Sequence, residues 1–237
     1  TLYCQQDNRP LTAVEWISSS EVACITHVSQ VGMIAVRLRS AEGYTLGEPI
    51  RLHVSGAVQI RTIVPALGPV AGHTPVLVMV SHVPQEASDF GTLRCRFNTT
   101  AVVATFVNSS VVRCDSPPLG GDLRRIGRVP IEVSSNGQDF SASGATFDYI
   151  ALVRVTSVFP ASGPIAGGVR VQVEGDGFGT PAACRFGATV SEATVVSSRL
   201  LRCFSPAHAA SGTVALEVSA NGGADFSETL VPFTYGP

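Results

Sequence analysis

Apolar and polar residues alternate along this chain in short runs, and they do not recur every three or four positions. Gly32-Met-Ile-Ala-Val-Arg-Leu38, Gly127-Arg-Val-Pro-Ile-Glu-Val133 and Gly212-Thr-Val-Ala-Leu-Glu-Val218 are three such runs, each led by glycine. Side chains in a strand point to opposite faces in turn, so a period of two predicts strands with one buried face. Val169, Val171 and Val173 alternate in the same way, and the strongest apolar run, Val76-Leu-Val-Met-Val80, has the length of a strand. No helical period is sustained anywhere. Short strands with turn signals every ten residues or so predict an all-β chain of aligned sandwiches, about seven strands to each ~90 residues.

The pattern repeats. The six cysteines fall into the pairs Cys4 and Cys24, Cys95 and Cys114, and Cys184 and Cys203, whose members lie 20, 19 and 19 positions apart. Before the second cysteine of each pair stand Trp16-Ile-Ser-Ser-Ser-Glu-Val-Ala-Cys24, Phe106-Val-Asn-Ser-Ser-Val-Val-Arg-Cys114 and Val195-Val-Ser-Ser-Arg-Leu-Leu-Arg-Cys203. Each predicts a strand, a serine-rich turn and a second strand, and places Trp16 in a core beside its counterparts. Ser116-Pro117 and Ser205-Pro206 follow, with Thr26-His27 in the first copy. Asn136-Gly137 and Asn221-Gly222 suit the positive φ angles of a tight hairpin. Phe147-Asp-Tyr149 and Phe233-Thr-Tyr235 close the second and third copies. An opening segment occurs only twice: Ile63-Val-Pro65-Ala-Leu-Gly68-Pro69-Val-Ala-Gly72 matches Val158-Phe-Pro160-Ala-Ser-Gly163-Pro164-Ile-Ala-Gly167. Proline and glycine at these spacings break a strand and carry the chain between sheets. The expected division is a partial repeat over 1–57, lacking its first strands, and repeats over 58–151 and 152–237.

These residues resemble the IPT/TIG family of immunoglobulin-like modules, found in plexins, scatter-factor receptors and fibrocystin-like surface proteins. The resemblance rests on Pro-x-x-Gly-Pro-x-x-Gly, the bend Gly175-Asp-Gly-Phe-Gly179, the Cys-Arg-Phe strand, the second cysteine with Ser-Pro, the Val-x-Val strand and the final Phe-x-Tyr. Repeat 152–237 carries every element. Repeat 58–151 replaces the bend with a longer insert, Ser81 to Gly91, and 1–57 matches only the second half of a module. The resemblance implies an early immunoglobulin-type sandwich and roles in adhesion, receptor stalks or surface scaffolds. It supplies no catalytic residues.

Composition narrows the chemistry. The chain is 45% apolar, enough for packed cores, and only 14% charged with a net charge of −2. All its basic residues are arginine. Near neutrality disfavours nucleic acid, whose affinity depends on phosphate neutralisation; the one basic spot, Arg124, Arg125 and Arg128, reads as a solvated loop. No run is long enough to span a membrane. No signal peptide is present and Thr1 is not a natural start, so a segment of a larger protein is expected.

The cysteine pairs admit disulfides or a metal site. The histidines, at 27, 53, 73, 82 and 208, keep no zinc-ligand spacing, which favours three disulfides and an oxidising compartment. Asn98-Thr-Thr and Asn108-Ser-Ser are glycosylation sequons at turns flanking the strand 101–107. The aspartates form no calcium-loop spacing, Asp176 reads as a turn former between two glycines, and no nucleophile elbow, zincin or phosphate-loop motif occurs.

The expectation is therefore a non-enzymatic, cofactor-free structural and adhesive array of a secreted or cell-surface protein. It acts through contacts with other protein modules, without nucleic acid and without inserting into a membrane. A receptor ectodomain binding one protein ligand, through the Ser81–Gly91 insert, is the second reading. A Rel-type DNA-binding module and an accessory domain beside an enzyme are further alternatives.

Overall fold

The computed structural model describes residues 1–7, 9, 12–26, 31–54, 56–120 and 126–237. The chain forms two compact units, Thr1–Ala57 and Val58–Pro237.

The second unit contains two sandwiches built on one plan. The middle sandwich comprises β7 (Ile60–Val64), β8 (Leu67–Pro69), β9 (Pro75–Val80), a single helical turn α1 (Glu86–Asp89), β10 (Arg94–Phe97), β11 (Thr100–Asn108), β12 (Val111–Asp115), β13 (Gly127–Ser134) and β14 (Thr146–Ile150). The C-terminal sandwich comprises β15 (Arg154–Phe159), β16 (Ser162–Pro164), β17 (Arg170–Asp176), β18 (Ala183–Phe186), β19 (Thr189–Ser197), β20 (Leu200–Phe204), β21 (Gly212–Ser219) and β22 (Val231–Gly236). Strand order is β7-β9-β12-β11-β10-β13-β14-β8 in one and β15-β17-β20-β19-β18-β21-β22-β16 in the other. Neighbours are antiparallel except the last pair of each, β14 with β8 and β22 with β16.

One long strand joins the two layers of each sandwich. The first half of β11 pairs with β10 and its second half with β12, changing partner between Val103 and Ala104. The Cys95–Cys114 disulfide links β10 to β12 across that change of layer, and Cys184–Cys203 does the same in the C-terminal copy. Their Cα separations, 6.3 and 6.4 Å, lie within the range disulfides span. Around each bridge the alternating residues meet in the interior. Val76, Val78, Ile131 and Val133 are fully buried in one core, and Val171, Val173, Leu216 and Val218 in the other. The closing aromatics pack edge to face: Phe97 on Phe147 at 5.4 Å and Phe186 on Phe233 at 5.1 Å.

The opening motif explains itself by contact. Gly72 has φ 79°, and a Cβ there would lie 2.5 Å from the Pro118 nitrogen; Gly167, with φ 73°, would strike the Pro206 carbonyl carbon at 2.6 Å. Only glycine lets the chain turn against the Ser-Pro segment at both places. In the C-terminal bend, Gly177 has φ 79° and Phe178 is buried in the core.

The unit 1–57 reproduces half of this plan. It contains β1 (Leu2–Gln6), β2 (Thr12–Ala13), β3 (Glu15–Ser18), β4 (Glu21–Ala23), β5 (Gly32–Ser40) and β6 (Thr45–Val54), in a sheet ordered β2-β1-β5-β6 plus the hairpin β3-β4. Cys4 faces Leu38, as Cys95 faces Val133 and Cys184 faces Val218. Trp16 faces Val22, as Phe106 faces Val112 and Val195 faces Leu201, with the same register shift following each time. Cys4 and Cys24 are disulfide-bonded, 5.8 Å apart at Cα.

Two expectations need correction. Trp16 is 60% exposed and not a core residue, because no strands equivalent to β7 and β9 lie over its hairpin among the described residues of the unit. Asn136-Gly137 and Asn221-Gly222 do not form tight hairpins, since residues 135–145 and 220–230 separate the strands they connect. Within the two Asn-Gly pairs only the glycines take positive φ, both 74°. The asparagine side chains cap the turns instead: the amides of Gln138 and Asp139 both donate to Asn136 Oδ1.

Candidate interaction surfaces and the joint between sandwiches

The repeated polar residues form a hydrogen-bond frame around each core. Backbone amides of Thr74 and Val169 donate to the hydroxyls of Ser116 and Ser205, each at 3.1 Å. Tyr149 donates its phenol to the Pro117 carbonyl at 2.6 Å, and Tyr235 to the Pro206 carbonyl at 3.0 Å. Ser-Pro and Phe-x-Tyr are therefore two ends of one lock. Burial pushes the Tyr149 phenol up to about 12 and raises that of Tyr235. The arginine of each Cys-Arg-Phe strand binds the glutamate on the neighbouring strand. Arg96 Nε donates to Glu132 at 2.7 Å, and Arg185 grips Glu217 with two bonds of 2.8 and 2.7 Å. Each guanidinium also covers an aromatic ring, Phe140 at 4.0 Å and Phe226 at 4.1 Å.

Those rings belong to a second repeat, Asp139-Phe-Ser141 and Asp225-Phe-Ser227, whose recurrence was the legible signal and which the motif reading passed over. The serines accept from the backbone amides of Val133 and Val218. The aspartates have different roles. Asp139 Oδ2 accepts from Asn136 at 2.8 Å within its own turn. Asp225 Oδ2 accepts from Asn221 Nδ2 at 2.7 Å and also from Thr74 Oγ1 of the middle sandwich at 2.7 Å. Asn221 Nδ2 further reaches the Leu67 carbonyl at 3.3 Å. Thr74 is fully buried and Asp225 half-buried, so this charge-assisted cluster is a partly buried joint between the two sandwiches. Beside it runs a cleft of ≈ 290 Å³ lined by His73, Leu152, Phe226 and Glu228 among others.

The remaining sequence candidates are dispersed. Asn98 occupies the β10–β11 turn with φ 54°, and Asn108 is the last residue of β11, its Oδ1 accepting from the Ser110 amide at 2.9 Å. Both are exposed and bracket the same strand. Arg124 and Arg125 lie outside the described residues, as do His27 and Asp122. Arg128 belongs to β13 and not to a loop. It forms a bidentate pair with Asp148 at 2.8 and 2.9 Å, and these hydrogen bonds hold the Asp148 carboxyl below its ordinary value. Asp176 ends β17 and faces Arg199 at 3.3 Å. Among the described residues no group of three or more His, Cys, Asp or Glu side chains is placed to hold a metal ion. Among the described residues no helix is long and apolar enough to cross a membrane.

Residues 59–149 and 154–235 each match the family model of the IPT/TIG domain. The chain belongs to the IPT/TIG domain family. Human Fibrocystin-L is 26% identical over 227 residues, covering 92% of this chain and 5% of that protein. The chain thus spans a small fraction of that relative's length. The extracellular region of Plexin A4, domains 1 to 10, superposes with a TM-score of 0.51 at 12% identity over 99% of this chain and 26% of that one, a likeness of fold alone. The arginine–glutamate–phenylalanine stacks of both sandwiches lie inside the matched residues.

Proposed function

We propose that this chain is a segment of an extracellular or cell-surface array of modules, serving as spacer or scaffold and adhering through protein–protein contacts without catalysis. One observation carries this reading: IPT/TIG sandwiches in tandem, each bridged by its own disulfide, joined by a partly buried polar cluster that links neighbour to neighbour. Disulfides persist in oxidising compartments. Human Fibrocystin-L and the Plexin A4 extracellular region supply the analogy for the setting. In this reading 1–57 is a partial repeat, completed by strands of the β7–β9 type from the same parent chain or from a partner. Asn98 and Asn108 are its glycan acceptors.

Expression behind a secretory leader in mammalian cells tests the proposal. Soluble secreted protein with no titratable thiol, and a mass that falls on glycosidase treatment, supports it. Retention of the chain, or six reactive thiols in protein that is equally stable after reduction, overturns it. The receptor reading draws on the insert of the middle sandwich, where Phe90 is 80% exposed. Replacing 81–91 with the short bend of the C-terminal sandwich abolishes ligand capture if that reading holds.

A further inference from the structure

The two complete sandwiches share a skeleton and differ on their outer faces. On the C-terminal sandwich, Phe159, Gln172, Arg202 and Thr194 form one outward row across β15, β17, β20 and β19, and Arg170 faces Phe204 in the next. Phe159 is 77% exposed and Phe204 59%. Acidic groups at the far end of this face are already engaged: Glu174 accepts from Ser157 and Asp176 faces Arg199. Arg170 and Arg202, between the two phenylalanines, have no carboxylate partner among the described residues. Exposed phenylalanine interleaved with unpaired arginine is the composition of an interface core. No sequon lies on this sandwich, whose counterparts of Asn98 and Asn108 are Gly187 and Ser197.

The complementary surface is on the middle sandwich. Its insert folds into α1, which leaves Glu86, Asp89 and Phe90 exposed. Glu86 and Asp89 are three apart on a helical turn, so their Cβ atoms lie about 5–6 Å apart. Arg170 and Arg202 are diagonal neighbours across β17 and β20, about 7–8 Å apart. Long arginine side chains close that small difference, and Phe90 meets the exposed phenylalanines. We infer that the Phe159–Arg170–Arg202–Phe204 face of one chain docks the Glu86–Asp89–Phe90 turn of a second copy. The five arginines of 152–237 stand against six acidic residues, so the sandwich as a whole is not a polyanion-binding surface. The contact is heterologous, because a face on one sandwich meets a different face on another, and it propagates from copy to copy. It falls in the small class, under about 1,200 Å² in total, and is weak per copy; an array multiplies it.

This inference rests on the adhesive reading, but it fails separately: secretion, thiol content and glycan mass are indifferent to it. Sedimentation velocity of the full chain, in a concentration series reaching about 1 mM, shows reversible association that weakens as salt rises and shortens the Debye length. R170E/R202E alone and E86R/D89R alone each weaken association at least about tenfold, since each sets like charges together. Mixed, the two variants associate again, because each offers what the other's altered surface requires. Every substitution is at an exposed position, so unchanged melting temperatures confirm folding. A chain that stays monomeric throughout, variants that associate as tightly as the parent, or a mixture with no recovery overturns the inference.

Discussion

Residues 1–57 and the middle sandwich contain the same disulfide, the same hairpin with the same register shift, and the same glycine-led strand. They differ in what lies over them. In the middle sandwich β9 places Val76, Val78 and Val80 in one core cluster with Ile131 of β13, which is fully buried. In 1–57 the corresponding strand β5 buries Val36, but its partner Ile50 on β6 is 62% exposed. A disulfide and a matched register therefore leave 1–57 partly open; we propose that strands of the β7–β9 type are what close the core.

Substitutions at equivalent positions sharpen the contrast, and the largest effect is expected in the closed core. Ile131→Ala removes a fully buried side chain and costs about 2–5 kcal/mol of unfolding free energy. Chemical denaturation of residues 58–237, which form one compact unit, measures it. Cys184→Ala with Cys203→Ala costs a similar 2–5 kcal/mol, read as a lower melting temperature; an unchanged melt would show that the bridge contributes nothing.

The phenol locks contribute a pH-dependent share. The folded Tyr149 pKa lies above its ordinary value of 10, so the folded state holds the proton more tightly. The stability this supplies is fully present below pH 10 and is lost as pH rises from there towards about 12. Tyr149→Phe loses about 1 kcal/mol at neutral pH and flattens that alkaline decline, followed by tyrosinate absorbance. At the joint, Asp225→Ala removes a charge-assisted bond worth roughly 1.5–3 kcal/mol, with each core left intact. Proteolysis of the 151–153 connection then accelerates while the melts of the separate sandwiches hold. The smallest effect is on the open unit: Ile50→Ala stays within about 0.5 kcal/mol.

Much of this architecture was legible because the chain states it three times. Cysteine spacing, strand alternation and the doubled opening motif identify tandem sandwiches without any partner information. Trp16 was misread for the same reason: position by position it matches Phe106, and only the covering strands distinguish them. The Asn-Gly pairs misled because glycine φ was legible while the length of the turn depended on Asn136 capping its own backbone. The joint was illegible, since Thr74 and Asp225 are 151 positions apart and neither belongs to a chemical motif. The outer faces were legible as strands but not as surfaces, because which of Phe159 and Val158 points outward depends on a register that only the fold fixes.

Amide hydrogen exchange over the whole chain tests the central claim most directly, since protection reports how fully each strand is closed into a core. Amides of Val78, Ile131, Val173 and Leu216 should exchange only on global opening, and those of Val36 and Ile50 at least about 100-fold faster. Equal protection of β5 and β13 would contradict the claim that the opening strands close the sandwich.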